Sequence, residues 1–344
     1  MSRVLLLGQY PLDRLDRAPK VRIHHMAEAL GRLVDLDVIT GTRGERAPRL
    51  RRYLRVGALR TLDGVYVESA TSTMTTQDWR FLKAVRRAGV PLAIFIRDWY
   101  QRFPDLYPPS SWREWAMARL YTLTVSQYAR LGTTLFFPTE GLAQLVPHAD
   151  RRTLPPAGPI LSEPSLPRTA GRVVYVGANG PHDGVATAVN AMGRVAAHVP
   201  GAHLLLVMRR TEWPSEVPPW CRVVDTSGPD LEPCLWSSMV GLIPRRDTAY
   251  NRLALPLKLF DYLAHGLPVV TTEGSEAGRF VVETGTGLAV PDDAAAYAEA
   301  IRWLFEHPEQ VGAMGRRARE RVARCDNWDL RARTVLELEV FNRP

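Results

Sequence analysis

The segment running from Leu255 to Val270 reads Leu-Pro-Leu-Lys-Leu-Phe-Asp-Tyr-Leu-Ala-His-Gly-Leu-Pro-Val-Val, and it constrains the local fold more tightly than any other part of the chain. Pro256 suits the start of a helix, where a missing N–H costs nothing. Gly266 suits the left-handed residue just beyond the helix end, and a buried strand then begins at Val269. Lys258 is out of place in this pattern. A cation in the first turn faces the positive end of the helix dipole and the unpaired N–H groups, so the position is unfavourable unless an anion joins it. The helix start is therefore a candidate phosphate site. Asp261 lies three residues further along on the same face, where its carboxylate can accept hydrogen bonds from the vicinal hydroxyls of a ribose. Only Lys20, Lys83 and Lys258 among the 44 basic residues are lysine, so a Lys here points to a need for a compact ammonium rather than a planar guanidinium. The competing reading is an i,i+3 surface ion pair between Lys258 and Asp261, worth a few tenths of a kcal/mol.

The pattern Pro-x-Lys-x-Phe-Asp-Tyr-x-Ala-x-Gly-x-Pro-Val, followed by Glu283-Thr284-Gly285-Thr286-Gly287-Leu288-Ala289-Val290-Pro291, resembles the donor-binding domain of family 4 of the retaining, GT-B-fold glycosyltransferases. The resemblance is specific from about Val240 to Pro291 and looser elsewhere. It implies two Rossmann-like domains and a nucleotide-sugar donor held by the second. In that family a Glu-x7-Glu motif sits here, its second acid holding the ribose and its first touching the sugar. Asp261 matches the second acid, whereas Leu253 occupies the position of the first.

A chain of 344 residues exceeds one ordinary hydrophobic core, so two domains are expected. No apolar run approaches the roughly 18 residues needed to span a bilayer, and Val4-Leu5-Leu6-Leu7 is too short for a signal-peptide core, so a cytoplasmic chain, peripheral at most to the inner membrane face, is expected. Cys221, Cys234 and Cys325 are widely spaced and suggest neither a disulfide framework nor a zinc site. Charge is uneven: residues 1–155 hold 24 Lys and Arg against 14 Asp and Glu, and residues 156–344 hold 20 against 22. No zinc-finger spacing or RNA-recognition signature accompanies the basic half, so nucleic acid is not the expected partner. An anionic membrane surface, or a lipid-linked acceptor embedded in it, is.

Along the chain, Arg3–Leu7 reads as a first parallel strand, residues 19–33 as a helix and Leu36–Thr40 as a strand, a β-α-β unit. His24 and His25 are adjacent, so they are not expected to face one site together from a helix. Asp35-Leu36-Asp37 has the spacing of a metal-binding pair but stands at a strand entrance, which favours a structural role. The Arg49–Arg60 stretch, with Leu50, Tyr53 and Leu54 at helical spacing, reads as a solvated basic helix or one lying on an anionic membrane. The strand Leu92–Ile96 runs into Arg97 and Asp98, and in an open α/β sheet the carboxyl ends of strands carry the ligand sites. Asp98 is the candidate for orienting an acceptor hydroxyl or taking its proton, with Arg97 beside it. Trp112, Trp115, Ala116, Leu120, Leu123 and Tyr128 lie on a long amphipathic stretch whose Trp and Tyr suit a membrane interface, but whose apolar face is expected rather to pack into the core.

The Pro-rich run Leu154–Pro159, with Pro164 and Pro167, reads as the linker. Beyond it a second doubly wound domain begins with Val173–Val176 and the turn Gly177-Ala178-Asn179-Gly180, where backbone amides can approach a phosphate. Arg245 and Arg246 follow the strand Val240–Pro244 and serve as cations for a diphosphate. Glu276 stands in a loop at another strand end, within reach of a substrate hydroxyl. The expected architecture is α/β, two Rossmann-like doubly wound parallel-sheet domains facing across a cleft: 1–155 for the acceptor, 156–325 for the donor, and 326–344 as a helix crossing back to the first. The expected activity is metal-independent transfer of a sugar from a nucleotide-sugar to an acceptor hydroxyl with retention, in cell-envelope polysaccharide or glycolipid synthesis. Lys258, Arg245 and Asp98 are its catalytic candidates, and Gly177, Arg246, Asp261 and Glu276 complete the donor site. No cofactor is required. The alternatives are a nucleotide-sugar epimerase and a non-catalytic nucleotide-sugar-binding protein on the same fold.

Overall fold

The computed structural model describes residues 2–55, 57–162 and 167–338, so Val56, Pro164 and the tail from Glu339 lie outside the described residues. Two compact units result. The first comprises residues 1–14, 19–155 and the segment from Trp328; the second comprises Pro156–Asn327 together with Leu15–Ala18.

In the first unit the order is β1 (Arg3–Gly8), α1 (Ala18–Gly31), β2 (Asp35–Ile39), α2 (Arg43–Arg55), β3 (Gly64–Glu68), α3 (Thr76–Arg87), β4 (Leu92–Phe95), α4 (Trp112–Leu131), β5 (Thr134–Phe137), α5 (Glu140–Ala143) and β6 (Arg151–Thr153). All strands are parallel, in the order β2-β1-β3-β4-β5-β6. The continuous apolar runs of β1, β3 and β4 follow from this. Strands covered by helices on both faces bury every side chain, and Val4–Leu7, Val65–Val67 and Leu92–Ile94 are fully buried.

The second unit repeats the plan with β7 (Arg172–Val176), α6 (Val185–Ala196), β8 (His203–Val207), β9 (Cys221–Val224), α7 (Glu232–Trp236), β10 (Val240–Ile243), α8 (Leu257–Ala264), β11 (Val269–Thr272), α9 (Glu276–Thr284), β12 (Gly287–Val290), α10 (Ala294–Glu306) and α11 (Pro308–Arg324). Its parallel order is β12-β11-β10-β7-β8-β9. Alternate residues of each strand serve opposite faces: Val173, Tyr175, Leu204, Leu206 and Leu242 pack with α6 and α10, while Val174, Leu205, Ile243 and Val269 pack with α8.

The last helix, α12 (Trp328–Leu336), belongs to the first unit. Trp328 stacks on His25 at 5.5 Å, and the Asp329 carboxylate pairs with Arg32. Two sequence expectations fail in this unit. His24 and His25 do share a partner, because Glu28 is one turn on from both. Its two carboxylate oxygens lie 3.4 Å from His24 Nε2 and 3.4 Å from His25 Nδ1. The α4 face does not pack into the core either. The buried stripe is Tyr121, Thr124, Val125 and Tyr128, whereas Trp112, Trp115, Leu120 and Leu123 are 76%, 53%, 47% and 58% exposed. The Asp35-x-Asp37 pair is structural as expected, Asp37 receiving Arg3 at 2.8 Å and the Tyr53 hydroxyl at 2.5 Å.

Candidate functional site

In the second unit the chain runs from β7 outward through β8 and β9, then returns to lay β10 on the other side of β7. The connections diverge there, so the carboxyl ends of β7 and β10 border the crevice in which a doubly wound sheet takes its ligand. The crevice is built into the sequence. Val240 pairs with Val173 and Gly241 with Val174, and the ladder between the two strands stops at that point. The Tyr262 hydroxyl enters the gap, accepting from the Val176 amide at 2.8 Å and donating to the Leu242 carbonyl at 3.3 Å. It satisfies the groups that the missing rungs would have paired. Gly241 makes room, since a Cβ there would lie 2.5 Å from the Tyr262 ring.

Three elements bring side chains to this opening. Gly177 follows β7 at φ +144°, and a Cβ on it would stand 2.5 Å from the Lys258 ammonium. Gly184 caps α6 at φ +73° with no space between it and the Pro244 carbonyl, which lays the loop from Gly177 against the end of β10. Lys258 comes from the first turn of α8, whose N-cap, Pro256, has no side chain to satisfy the helix amides. Its ammonium sits 4.0 Å above the centre of the Tyr175 ring. Arg245, next after Pro244, contributes a half-buried guanidinium. Its Nη1 donates to Asn251 Oδ1 at 3.4 Å, and its buried Nε has no partner among the described residues.

The ion pair weighed against the phosphate reading is not formed. Among the described residues Lys258 makes no hydrogen bond or salt bridge, and the Asp261 carboxylate accepts none. Burial pushes the Lys258 ammonium down to about 7, with the nearby Arg245 charge adding to the effect while Asp183 and Asp261 oppose it. Burial likewise pushes the Asp261 carboxyl up to about 7. Glu232 reinforces that shift, and His265 and Lys258 work against it. A lysine and a carboxyl that are both costly to ionise, three residues apart on one helix and not joined to each other, leave charge and hydrogen-bonding capacity unspent at this opening.

Some expected contributors have other duties. The Gly177 amide donates to the Val207 carbonyl at 3.0 Å and the Gly180 amide to Asp183 Oδ2 at 2.9 Å, so neither is available to a phosphate. Gly177 matters instead because the absence of its side chain admits Lys258. Arg246 is exposed and held by Asp292 at 2.8 Å, and Glu276 is held by Arg279 within its own helix. Leu253 is half-buried in the turn before α8, its amide bonded to the Tyr250 carbonyl at 2.9 Å. In the first unit Arg97 is drawn 3.4 Å from the fully buried Glu68, whose other oxygen takes Arg22 at 2.9 Å and the Tyr66 hydroxyl at 2.6 Å. Arg97 therefore belongs to a buried network at the strand ends. Asp98 follows it half-buried, its carbonyl accepting from the Tyr121 hydroxyl at 2.9 Å.

Sequence reasoning missed Glu68, Arg22, Asn251 and the part played by Tyr175. Asn251 is 2% exposed and donates to the carbonyls of His182 at 3.2 Å and Arg246 at 2.9 Å, which ties the β7 and β10 loops together. Asn251, set with Arg252 in an otherwise apolar Tyr250–Pro256 turn, was the available signal for it.

Residues 170–307, which contain every element of this opening, match the family model described as Glycosyl transferases group 1. Over that stretch the second unit is similar to group 1 glycosyltransferases. A curated relative, the D-rhamnosyltransferase WbpZ of Pseudomonas aeruginosa, is 37% identical over 70 residues, which is 20% of this chain and 18% of that protein. The match thus spans less than a fifth of the relative's length. Solved structures resemble the whole chain. A glycosyltransferase from Rickettsia africae superimposes with a TM-score of 0.69 at 12% identity, covering 100% of this chain and 99% of that one. Sucrose-phosphate synthase from Thermosynechococcus elongatus gives 0.65 at 16% identity and 98% coverage of both. Anabaena HepE in complex with UDP-glucose gives 0.67 at 12% identity, with 98% and 99% covered. At these identities the likeness establishes the GT-B fold.

Proposed function

We propose that the chain is a glycosyltransferase that moves a sugar from a nucleotide-sugar to an acceptor hydroxyl with retention of anomeric configuration, in the synthesis of cell-envelope polysaccharide or glycolipid. The observation carrying this reading is the pair of cations, Lys258 and Arg245, that have no carboxylate partner among the described residues at the β7/β10 opening of the second unit. In the reaction the bond from the anomeric carbon to the diphosphate breaks, a bond to the acceptor oxygen forms, and the acceptor's proton leaves. Negative charge gathers on the departing diphosphate, where fixed cations and an uncapped helix start stabilise it. Lys258 and Arg245 fill that role, and Asp261 accepts from the ribose hydroxyls. The first unit holds the acceptor, an anionic or lipid-linked glycan, with Asp98 orienting its hydroxyl or taking its proton. Two positive side chains do the work a divalent ion would do, so no metal is required.

The relatives' names point to the same chemistry: one is a rhamnosyltransferase and another was solved with UDP-glucose. Leu253 in place of an acid keeps a second reading open, a protein that binds a nucleotide-sugar without transferring it. A thermal-shift panel of UDP-, GDP-, ADP- and TDP-sugars identifies the donor, since a ligand at about 100 times its Kd adds about 2.7 kcal/mol of stability. Turnover of that donor against envelope glycans then separates transfer from binding, and a product formed from donor alone would indicate an epimerase.

A further inference from the structure

The exposed side of α4 carries an apolar surface that the fold does not use. Trp112, Trp115, Leu120 and Leu123 recur at three- to five-residue intervals along one flank of the helix, all at least 47% exposed. Exposed Leu is ordinary, but two exposed Trp in line with two exposed Leu form a patch that soluble surfaces rarely keep without a partner. Arginines border it, Arg113 lying against Trp112 and Arg119 against Trp115, with guanidinium carbons 5.6 and 4.7 Å from the ring centres.

The surroundings indicate what covers this patch. α3 packs against both α2 and α4, so the three helices lie side by side on one face of the sheet. Their sequences hold thirteen basic residues against three acidic ones, and one of those acids, Asp78, is buried and neutralised by Arg46 at 3.1 Å. Arg51, Arg52 and Arg55 on α2 and Arg80, Arg86 and Arg87 on α3 are exposed. A second copy of the same face would bring two strongly positive surfaces together. A bilayer rich in anionic lipid offers both an apolar interior at headgroup depth and the opposite charge.

We infer that the α2–α4 face docks on an anionic phospholipid bilayer, with α4 lying in the interface, Trp112, Trp115, Leu120 and Leu123 inserted at headgroup depth and the arginines of the three helices on the phosphates. This deepens the proposal of a lipid-linked acceptor by naming the surface that would bring the first unit to it. Tryptophan suits the headgroup level because its ring is apolar and its N–H is polar.

The test is co-sedimentation of the full chain with phosphatidylcholine vesicles with and without phosphatidylglycerol. It is run on the wild type, on Trp112→Ser with Trp115→Ser, and on Arg113→Glu with Arg119→Glu. All four positions are exposed, so the fold should survive, and thermal melting checks that it does. Binding is expected only to the anionic vesicles and should weaken with salt. The Trp pair should reduce it by about tenfold or more, because two aromatic rings no longer leave water. Brominated lipid should quench tryptophan emission in the wild type and quench it much less in the Trp variant. Unchanged binding by the Trp variant, absence of wild-type binding, or a solution dimer that the Trp substitutions dissociate would overturn the inference. Nucleoside diphosphate affinity and transfer to a water-soluble acceptor, measured on the same proteins, keep the two proposals apart. Transfer without vesicle binding refutes docking alone, and vesicle binding without transfer refutes the enzymatic reading alone.

Discussion

Replacing Lys258 by Met separates a phosphate ligand from a structural lysine. The ammonium makes no hydrogen bond or salt bridge among the described residues and rests only on the Tyr175 ring, so little native structure depends on its charge. Its burial opposes ionisation and holds it down to about 7. Between pH 7 and about 10 the unfolded chain therefore carries a proton here that the fold does not want. Wild-type stability from this group rises across that window, and Lys258→Met should abolish the rise and leave the protein as stable at pH 7 or more so, by about 1 kcal/mol after solvent screening. Donor binding should move the other way. A hydrogen bond from a charged group is worth about 1.5–3 kcal/mol, so nucleoside diphosphate affinity should fall by about 10- to 100-fold, while affinity for the free nucleoside, which lacks phosphates, is unchanged. Lys258→Arg should rescue poorly, because the planar guanidinium needs more room beside Gly177 and the Tyr175 ring than the compact ammonium does. Isothermal calorimetry and chemical denaturation read both effects. If Lys258→Met lowers stability by several kcal/mol and leaves diphosphate affinity intact, Lys258 is a packing residue and the reasoning fails.

Gly177→Ala should weaken diphosphate binding nearly as much as loss of Lys258, since a methyl placed 2.5 Å from the ammonium must displace it; calorimetry that finds normal affinity would show that the lysine works from elsewhere. Asp261→Asn should weaken the nucleoside diphosphate and the free nucleoside alike. It should also remove a pH dependence: the wild-type carboxyl is held up to about 7, so stability from this group is present at about pH 4 and lost as pH rises to 7, and a flat difference between the denaturation curves of the two proteins across that window would contradict the assignment. Tyr262→Phe should cost about 1–3 kcal/mol in urea denaturation, because the Val176 amide and Leu242 carbonyl lose the hydroxyl that fills the opening. Turnover should persist in excess chelator, and a loss restored by magnesium or manganese would show that a metal carries part of the diphosphate charge.

The architecture was legible because it rests on local rules. Pro256, Gly266 and the apolar runs of β7, β10 and β11 each follow from the preferences of one segment, and α8 and β11 fall where these residues place them. The same holds for Lys258, which broke a local rule about helix starts and so stood out. What depended on meetings between distant segments was less visible. The engagement of Arg97 by Glu68, of Arg246 by Asp292 and of the Gly177 amide by Val207 joins residues 29, 46 and 30 positions apart, and no spacing rule relates them. The α4 face misled for a different reason. Helical periodicity shows that Trp112, Trp115, Leu120 and Leu123 share a flank, but only the position of the sheet decides which flank is inside. Here the narrower stripe of Tyr121, Thr124, Val125 and Tyr128 took that place.

The most direct test of the central proposal is proton NMR of the reaction product. Once the panel has identified a nucleotide-sugar that stabilises the chain, that donor is supplied with a lipid-linked envelope glycan, and the anomeric coupling constant of the new linkage is compared with that of the donor. The proposal requires a new glycosidic bond with the donor's own anomeric configuration, formed at a rate that falls sharply in Lys258→Met. An inverted product would contradict retention, and binding of the donor with no product across the acceptors tried would contradict transfer itself.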